Sequence, residues 1–287
     1  MPVSVAELIS RGLVRLKTAG IDDAEISSRL ILQYILNKTS SDLQLSSDEI
    51  IADEKIKQYD RLLEKRCLHV PVQYLIGEVE FYNVKLKVDE RALIPRPETE
   101  VLVENLVELI KPMKSPRLLD IGTGSGNIAI AIAANVEDVS VTTVDVSADS
   151  LDLARANASL NYVNGKIEFV CADCLQSRFW RDCGKFDAIV SNPPYVDNSD
   201  YNDLQPEVRY YEPKVALVAR GDQFTFFKSI SRRATTALNP KGIICFEVGF
   251  GQADKVVSII HSCLPNSEIN IIDDLAGIQR VVVGVKR

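Results

Sequence analysis

Apolar residues recur at helical spacing along residues 1–71 and at the two-residue spacing of strands soon after. Ser4-Val5-Ala6-Glu7 is a capping box; Leu8, Ile9, Leu13 and Leu16 follow on one face, with Gly20 as the stop. Asp22-Asp23-Ala24-Glu25 predicts the start of a second helix with an apolar stripe of Ile26, Leu30, Ile31, Tyr34 and Ile35. A third is predicted from Ser46-Ser47-Asp48-Glu49 through Ile56, Tyr59, Leu62 and Leu63 to Cys67. These stripes suit a small all-helical domain. It holds no catalytic grouping, so recognition rather than chemistry is expected of residues 1–71.

From Val72 to Val88 the pattern alternates, with Tyr74-Leu75-Ile76, Val79 to Tyr82 and Val84 to Val88 as expected strands. Residues 72–92 are therefore expected to form a β-hairpin linker. Ile94-Pro95-Arg96-Pro97 then predicts a stiff extended segment before a helix from Glu98 to Ile110. Arg96, held between two prolines, suits the lip of a substrate-binding loop or a solvated rigid connector. Beyond Pro116, strands and helices alternate: strands end at Ile121, Asp145, Cys171, Ser191 and Val248, and helices follow most of them. Ile269 to Ile272 and Arg280 to Val285 are joined by a short connection and are expected to pair antiparallel. Residues 93–287 thus predict a doubly wound, Rossmann-like α/β sheet, the class that binds ligands at strand C-termini.

Composition narrows the setting. The 287 residues are 46% hydrophobic and 25% charged, with mean hydropathy +0.01, as in ordinary globular proteins. No apolar run is long enough to span a membrane, and Met1-Pro2-Val3-Ser4 does not read as a signal peptide. With six irregularly spaced cysteines, a cytoplasmic location with free thiols is expected. A net charge of −7 gives no bulk attraction to nucleic acid. Cys171-Ala172-Asp173-Cys174 has no second cysteine pair, and His69 and His261 are remote in sequence, so no metal site is expected. His69, just before Pro71, reads as a boundary residue.

Two stretches carry chemistry. Asp120-Ile121-Gly122-Thr123-Gly124-Ser125-Gly126 joins a strand to a helix, and its glycines let backbone approach a ligand. The third glycine comes one residue too early for a dinucleotide fingerprint, and Asp120 would repel a pyrophosphate. A carboxylate there suits a cationic ligand portion, such as the α-amino group of S-adenosyl-L-methionine, reached through water. Asp145 ends the next strand, where it could accept both ribose hydroxyls; Asp173, after the third, could accept from an adenine amino group, with Cys174 packed nearby. Together these residues predict an S-adenosyl-L-methionine site, with S-adenosyl-L-homocysteine as its product form. The second stretch is Ser191-Asn192-Pro193-Pro194-Tyr195, where two prolines force the chain off its strand. Asn192 and the Pro193 carbonyl could accept the two hydrogens of a planar NH2 group, while Tyr195 stacks on its plane. Asn-Pro-Pro is also an ordinary turn sequence.

The chain resembles the HemK/PrmC family of peptide chain release factor N5-glutamine methyltransferases. The resemblance rests on Asp120 to Gly126, Asn192 to Tyr195, Ile94 to Glu100, and Tyr74-Leu75-Ile76-Gly77. It extends to Tyr211-Glu212-Pro213, Ala216-Leu217, Glu247-Val248-Gly249 with Gln252, and Asp274 to Gly277 with Arg280, covering essentially the whole chain. It implies methylation of the glutamine in the Gly-Gly-Gln motif of class-1 release factors, with Asn192, Pro193 and Tyr195 at the reacting amide and Pro194 and Arg96 beside the substrate. Cys174 stands where the family often places a bulky apolar residue, and Ala219-Arg220-Gly221-Asp222 is poorer in glycine than expected. The Asn-Pro-Pro-Tyr motif is shared with DNA adenine-N6 methyltransferases. That activity, a ribosomal-protein glutamine methyltransferase and an idle cofactor-fold binding module are the competing readings. The charge and the helical N-terminal segment disfavour DNA; the intact motifs disfavour the idle module.

Overall fold

A computed structural model describes residues 2–287. The chain divides into two compact units: one runs to Glu78 and includes Gln205–Tyr211; the other comprises Val79–Leu204 and Glu212–Arg287.

The first unit is built from α1 (Val5–Thr18), α2 (Ala24–Leu36), α3 (Ser40–Leu45), α4 (Asp53–Cys67) and the short α5 (Val72–Ile76). Its core gathers Leu8, Leu16, Ile31, Leu32, Leu43, Tyr59 and Leu63. Three expectations are corrected here. Ser46 to Ile51 is not a helix start: Thr39 and Asp42 form a capping box for α3, and Val5 and Ile51 exchange backbone hydrogen bonds with Glu49 and Val3. The α2 stripe is rotated from the expected one, leaving Ile26 and Tyr34 exposed. Ser27 and Ser28 are buried instead, because Arg66 Nε donates to Ser27 Oγ (3.0 Å) and Ser28 Oγ pairs with Tyr59 Oη (2.6 Å). Tyr74-Leu75-Ile76 lies in α5, not in a strand, and Gly77 ends that helix at φ +83°. Arg66, 1% exposed, also pairs with Asp23 (2.7 Å) and Glu207 (2.9 Å), the latter anchoring the segment 205–211 within this unit.

The second unit takes in, from Val79 onward, the hairpin of β1 (Glu78–Phe81) and β2 (Val84–Lys87), followed by α6 (Glu98–Ile110). Then come β3 (Arg117–Ile121), α7 (Asn127–Asn135), β4 (Ser140–Asp145), α8 (Ala148–Leu160), β5 (Ile167–Cys171), α9 (Ser177–Asp182) and β6 (Phe186–Ser191). The remainder comprises α10 (Pro206–Tyr211), which belongs to the first unit, α11 (Lys214–Leu217), α12 (Thr225–Ala237), β7 (Leu238–Glu247), α13 (Ala253–Cys263), β8 (Glu268–Asp273) and β9 (Gln279–Val285). The described residues form a seven-stranded sheet in the order β5-β4-β3-β6-β7-β9-β8. It is parallel except for β9, which runs antiparallel to both β7 and β8. The expected α/β class and the closing antiparallel pair are thus found. One apolar layer, with Leu102, Leu106, Ile130 and Val141, packs on one side of the sheet; another, with Ile189, Phe227, Ile230, Phe246 and Ile260, fills the other. Strand order reverses between β3 and β6, and such a switch point opens a crevice at the strand C-termini. No helix among the described residues is long and apolar enough to cross a membrane.

Candidate active site

A cleft of about 1010 Å³, its open mouth included, lies at that switch point within the second unit. It is lined by the glycine loop, by the ends of β4 and β6, by Ala172 to Cys174, and by the segment from Arg91 to Arg96.

The glycine loop is pinned at its start, where Gly122 N donates to the Val144 carbonyl (2.8 Å). Gly122 has φ +77°, and a Cβ built on it would meet nothing within 4 Å, so its backbone faces open space. Gly126 differs. At φ +85° it precedes α7, and a Cβ there would stand 2.8 Å from Ile130 Cδ1 and 3.1 Å from Ala154 Cβ. Gly126 therefore allows close helix packing and is not among the residues that line the cleft.

Asp120 is fully buried under the loop and is not part of the cleft wall. Its Oδ2 accepts from Thr143 Oγ1 (2.9 Å), and burial pushes its carboxyl up to about 6. The Thr123 hydroxyl lies beside this carboxyl and, with Thr143, opposes the rise, while the Ser125 hydroxyl is buried without a hydrogen-bond partner among the described residues. Unpaired buried polar atoms beside a cleft are where a ligand or bound water contributes most. Asp145 is in the wall: Oδ2 accepts from Gly124 N (3.0 Å) and Oδ1 from Ser147 N (2.9 Å), each oxygen keeping a lone pair for a ligand hydroxyl. Asp173 also lines the cleft, but its Oδ2 is taken by Arg220 Nη1 (2.7 Å) and its Oδ1 by Leu175 N (3.0 Å). Burial would raise its carboxyl, yet these partners hold it below the usual range. Arg220 thus fixes the 219–222 loop over this end of the cleft. Cys174 is buried in the wall, and burial pushes its thiol up to about 12, so it is an apolar surface rather than a nucleophile.

At the other end, the Ser191 hydroxyl donates to the Ile121 carbonyl (2.7 Å), and Asn192, Pro193 and Pro194 line the cleft. Asn192 Nδ2 donates to Thr99 Oγ1 (3.4 Å), so the amide nitrogen is turned toward α6. Thr99 Oγ1 in turn donates to Glu247 Oε2 (2.5 Å). Tyr195 packs beside the core, its Cδ2 3.0 Å from where a Cβ on Gly249 would stand, and is not among the residues that line the cleft. Its backbone carbonyl accepts from Gln252 Nε2 (3.1 Å), and Gln252 Oε1 accepts from Gly249 N (3.0 Å). Arg96 does line the cleft, paired with the buried Glu212 (2.5 Å), whose second oxygen accepts from Ile94 N (3.1 Å). Glu212 therefore holds the Ile94–Arg96 segment in place.

Sequence reasoning missed Thr99, Glu247, Glu212 and Asn157 as site residues. Asn157, fully buried, donates to the carbonyls of Ser125 (2.9 Å) and Lys87 (3.0 Å) and accepts from Lys87 N (2.7 Å), bracing the loop against the hairpin. The available signal was a polar side chain at a position whose helix face is otherwise apolar.

A model described as PrmC N-terminal domain matches residues 7–77, and one described as Methyltransferase small domain matches residues 97–208. A release factor glutamine methyltransferase of Chlorobaculum tepidum is 38% identical over 272 residues, spanning 93% of this chain and 92% of its own. The chain belongs to the release factor glutamine methyltransferase family. A relative of that description from Aliivibrio fischeri is 35% identical, spanning 99% of this chain and 98% of its own. Among solved structures, a SAM-dependent methyltransferase from Agrobacterium tumefaciens aligns at TM-score 0.53 with 16% identity, over 73% of this chain and 69% of that one, a likeness of fold alone.

Proposed function

We propose that this chain transfers a methyl group from S-adenosyl-L-methionine to the side-chain amide nitrogen of the glutamine in the Gly-Gly-Gln motif of class-1 peptide chain release factors. The observation that carries the reading is the meeting, in one cleft, of an open glycine loop and an asparagine whose nitrogen is already engaged by Thr99. The choice of a release factor over another amide-bearing partner is supported by the names of the relatives.

The residues of the glycine loop fit the cofactor. The bare backbone at Gly122 and Gly124 would face its methionine portion, with Asp120 acting through water. Asp145 would take the ribose hydroxyls; Asp173 and Cys174 would meet the adenine. When bound, the cofactor supplies a methyl group on a positively charged sulfur.

The chain's own work is positioning. With Nδ2 on Thr99, Asn192 Oδ1 is left to accept one hydrogen of the target NH2, and the Pro193 carbonyl the other. Held by both hydrogens, the amide nitrogen presents its lone pair in one direction and gains electron density from its two acceptors. Positive charge developing on nitrogen is stabilised by the same oxygens. The proton leaves after transfer, so no base is needed beforehand. Glu247, the acid behind Asn192, is sealed from the cleft by Thr99. Pro194 and Arg96 complete the substrate side of the cleft, and Tyr195 supports the turn from behind.

By this reading the helical unit, which extends past the expected boundary at residue 71 to Glu78 and takes in Gln205–Tyr211, would recognise the substrate. The unit of Val79–Leu204 and Glu212–Arg287, with its hairpin, would carry the methyl transfer. The six cysteines are unpaired, which suits a reducing compartment such as the cytoplasm. The test offers labelled S-adenosyl-L-methionine with a purified class-1 release factor, a ribosomal protein fraction or duplex DNA in separate reactions. Label in the release factor is expected. Label only in DNA or only in a ribosomal protein would overturn the assignment.

A further inference from the structure

Asn192, Thr99 and Glu247 form a chain of hydrogen bonds that runs from the cleft into the protein. Asn192 stands in the wall; Thr99 is 1% exposed and Glu247 3% exposed. The three residues come from the turn after β6, the first turn of α6 and the end of β7. Nothing in the proposed methyl transfer uses the Glu247 carboxylate directly.

A carboxamide has an accepting end and a donating end of nearly the same shape. Which end faces the cleft decides whether Asn192 can hold an NH2 group at all. Thr99 has a single hydroxyl proton. An ionised Glu247 only accepts, so Thr99 must give that proton to it and offer a lone pair to Asn192. Asn192 must then bring its nitrogen to Thr99 and turn its oxygen to the cleft. A protonated Glu247 can donate instead. Thr99 is then free to give its proton to the Asn192 oxygen, and the amide can turn its nitrogen outward, where it repels the NH2 group it should hold.

We infer that Glu247 is a positioning residue which, through Thr99, sets the Asn192 carboxamide with its oxygen toward the cleft. The inference rests on the proposed role of Asn192 as acceptor for a primary amide. It also gives a role to Thr99 and Glu247, to which the methyl transfer otherwise assigns none.

The environment places the switch near neutrality. Burial pushes the Glu247 carboxyl up to about 7. The hydrogen bond from Thr99 opposes the rise, Glu98 on α6 adds to it, and Arg280 on β9 and a direct hydrogen bond from the Asn192 amide nitrogen oppose it. The carboxylate thus holds that nitrogen inward both through Thr99 and by itself. Tyr195 and Cys245 also face the carboxyl, and burial raises both phenol and thiol further above neutrality, so they stay uncharged there. The ionised, orienting form therefore prevails above pH about 7 and is lost below it.

Two measurements on the full chain test this. The side-chain amide signals of Asn192, assigned by comparison with Asn192→Asp, are followed by nuclear magnetic resonance from acid to neutral pH. A midpoint near 7 in the wild-type protein that vanishes in Glu247→Gln is expected. Signals that do not change with pH, or a midpoint that persists in Glu247→Gln, would overturn the inference. In turnover, Thr99→Val should lower kcat about tenfold or more, with cofactor affinity changed less than about threefold. Thr99→Ser, which keeps the hydroxyl, should recover most of that loss. Equal kcat in wild type and Thr99→Val would also overturn it. If the wild-type protein methylates no release factor, the proposed function falls, and the magnetic resonance titration still decides whether Glu247 orients Asn192.

Discussion

The Ser191 hydroxyl donates to the Ile121 carbonyl at 2.7 Å, and the two residues are also register partners across β3 and β6. One residue beyond Ile121 the glycine loop begins; one residue beyond Ser191 stands Asn192. The two halves of the site therefore hang from the same pair of residues, at the point where strand order reverses. Their spacing is set by sheet pairing, which is stiffer than any loop. The loops add the chemistry, and each is tied back by a buried polar side chain: Asn157 under the glycine loop, Thr99 behind Asn192, Glu212 under the Arg96 segment.

Asn192→Ala removes the acceptor for the target amide and little else. Methyl transfer should fall by about 10²- to 10³-fold, the scale of losing a group that positions and stabilises the reacting atoms. Cofactor affinity, measured by titration calorimetry, should change by only a few-fold. A parallel loss of affinity would move Asn192 out of its assigned role.

Asp145→Ala acts on the other half. It removes the acceptor of Gly124 N and Ser147 N as well as the expected ribose contact. Cofactor affinity should weaken by about 10- to 100-fold, equivalent to one or two charge-assisted hydrogen bonds. Undiminished affinity in the same calorimetric assay would remove Asp145 from the binding site.

The glycines of the loop should separate by role. Gly126→Ala adds a Cβ that meets Ile130 Cδ1 at 2.8 Å at a residue with φ +85°, so strain and overpacking add. A loss of about 2–4 kcal/mol in urea unfolding is expected. Gly122→Ala meets no atom and carries only the strain of its positive φ, about 1–2 kcal/mol, but its methyl would project into the cleft and should weaken cofactor binding. Similar stability losses for the two would contradict the distinction.

Glu247 should make stability fall with pH. Its carboxyl is pushed up from 4.5 to about 7 in the folded protein, so the contribution is full below about 4.5 and is lost as pH rises through about 7. The scale is on the order of 3 kcal/mol. Glu247→Gln removes this dependence, so its stability relative to wild type should rise between pH 4.5 and pH 7, as followed by denaturant unfolding across that range. A constant difference would mean the carboxyl does not titrate there. The buried acid thus opposes stability under the conditions where it orients Asn192.

The parts legible in the sequence were those whose chemistry is local. Alternating strands and helices, the glycine loop, and the acids at successive strand ends follow from spacing along one stretch of chain. Thr99 and Glu247 are 148 residues apart, and Thr99 and Asn192 are 93 apart, so only the sheet brings them together. The α2 stripe failed for a related reason: Ser27 and Ser28 are buried by partners on α4, which outweighs the apolarity of Ile26 and Tyr34. The five residues of α5 are too few for periodicity to tell a helix from a strand. Tyr195 shows the limit of motif chemistry, because the same Asn-Pro-Pro-Tyr string allows a ring in the cleft or a ring behind it.

The central claim is that the Asn192 turn presents the nitrogen of a glutamine side chain to a methyl donor held by the glycine loop. The most direct measurement is peptide mass mapping of a class-1 release factor after reaction with S-adenosyl-L-methionine and this enzyme. The account predicts one added methyl group on the side chain of the Gly-Gly-Gln glutamine, and none when that glutamine is replaced by glutamate. A methyl group on any other residue, or on the variant, would contradict it.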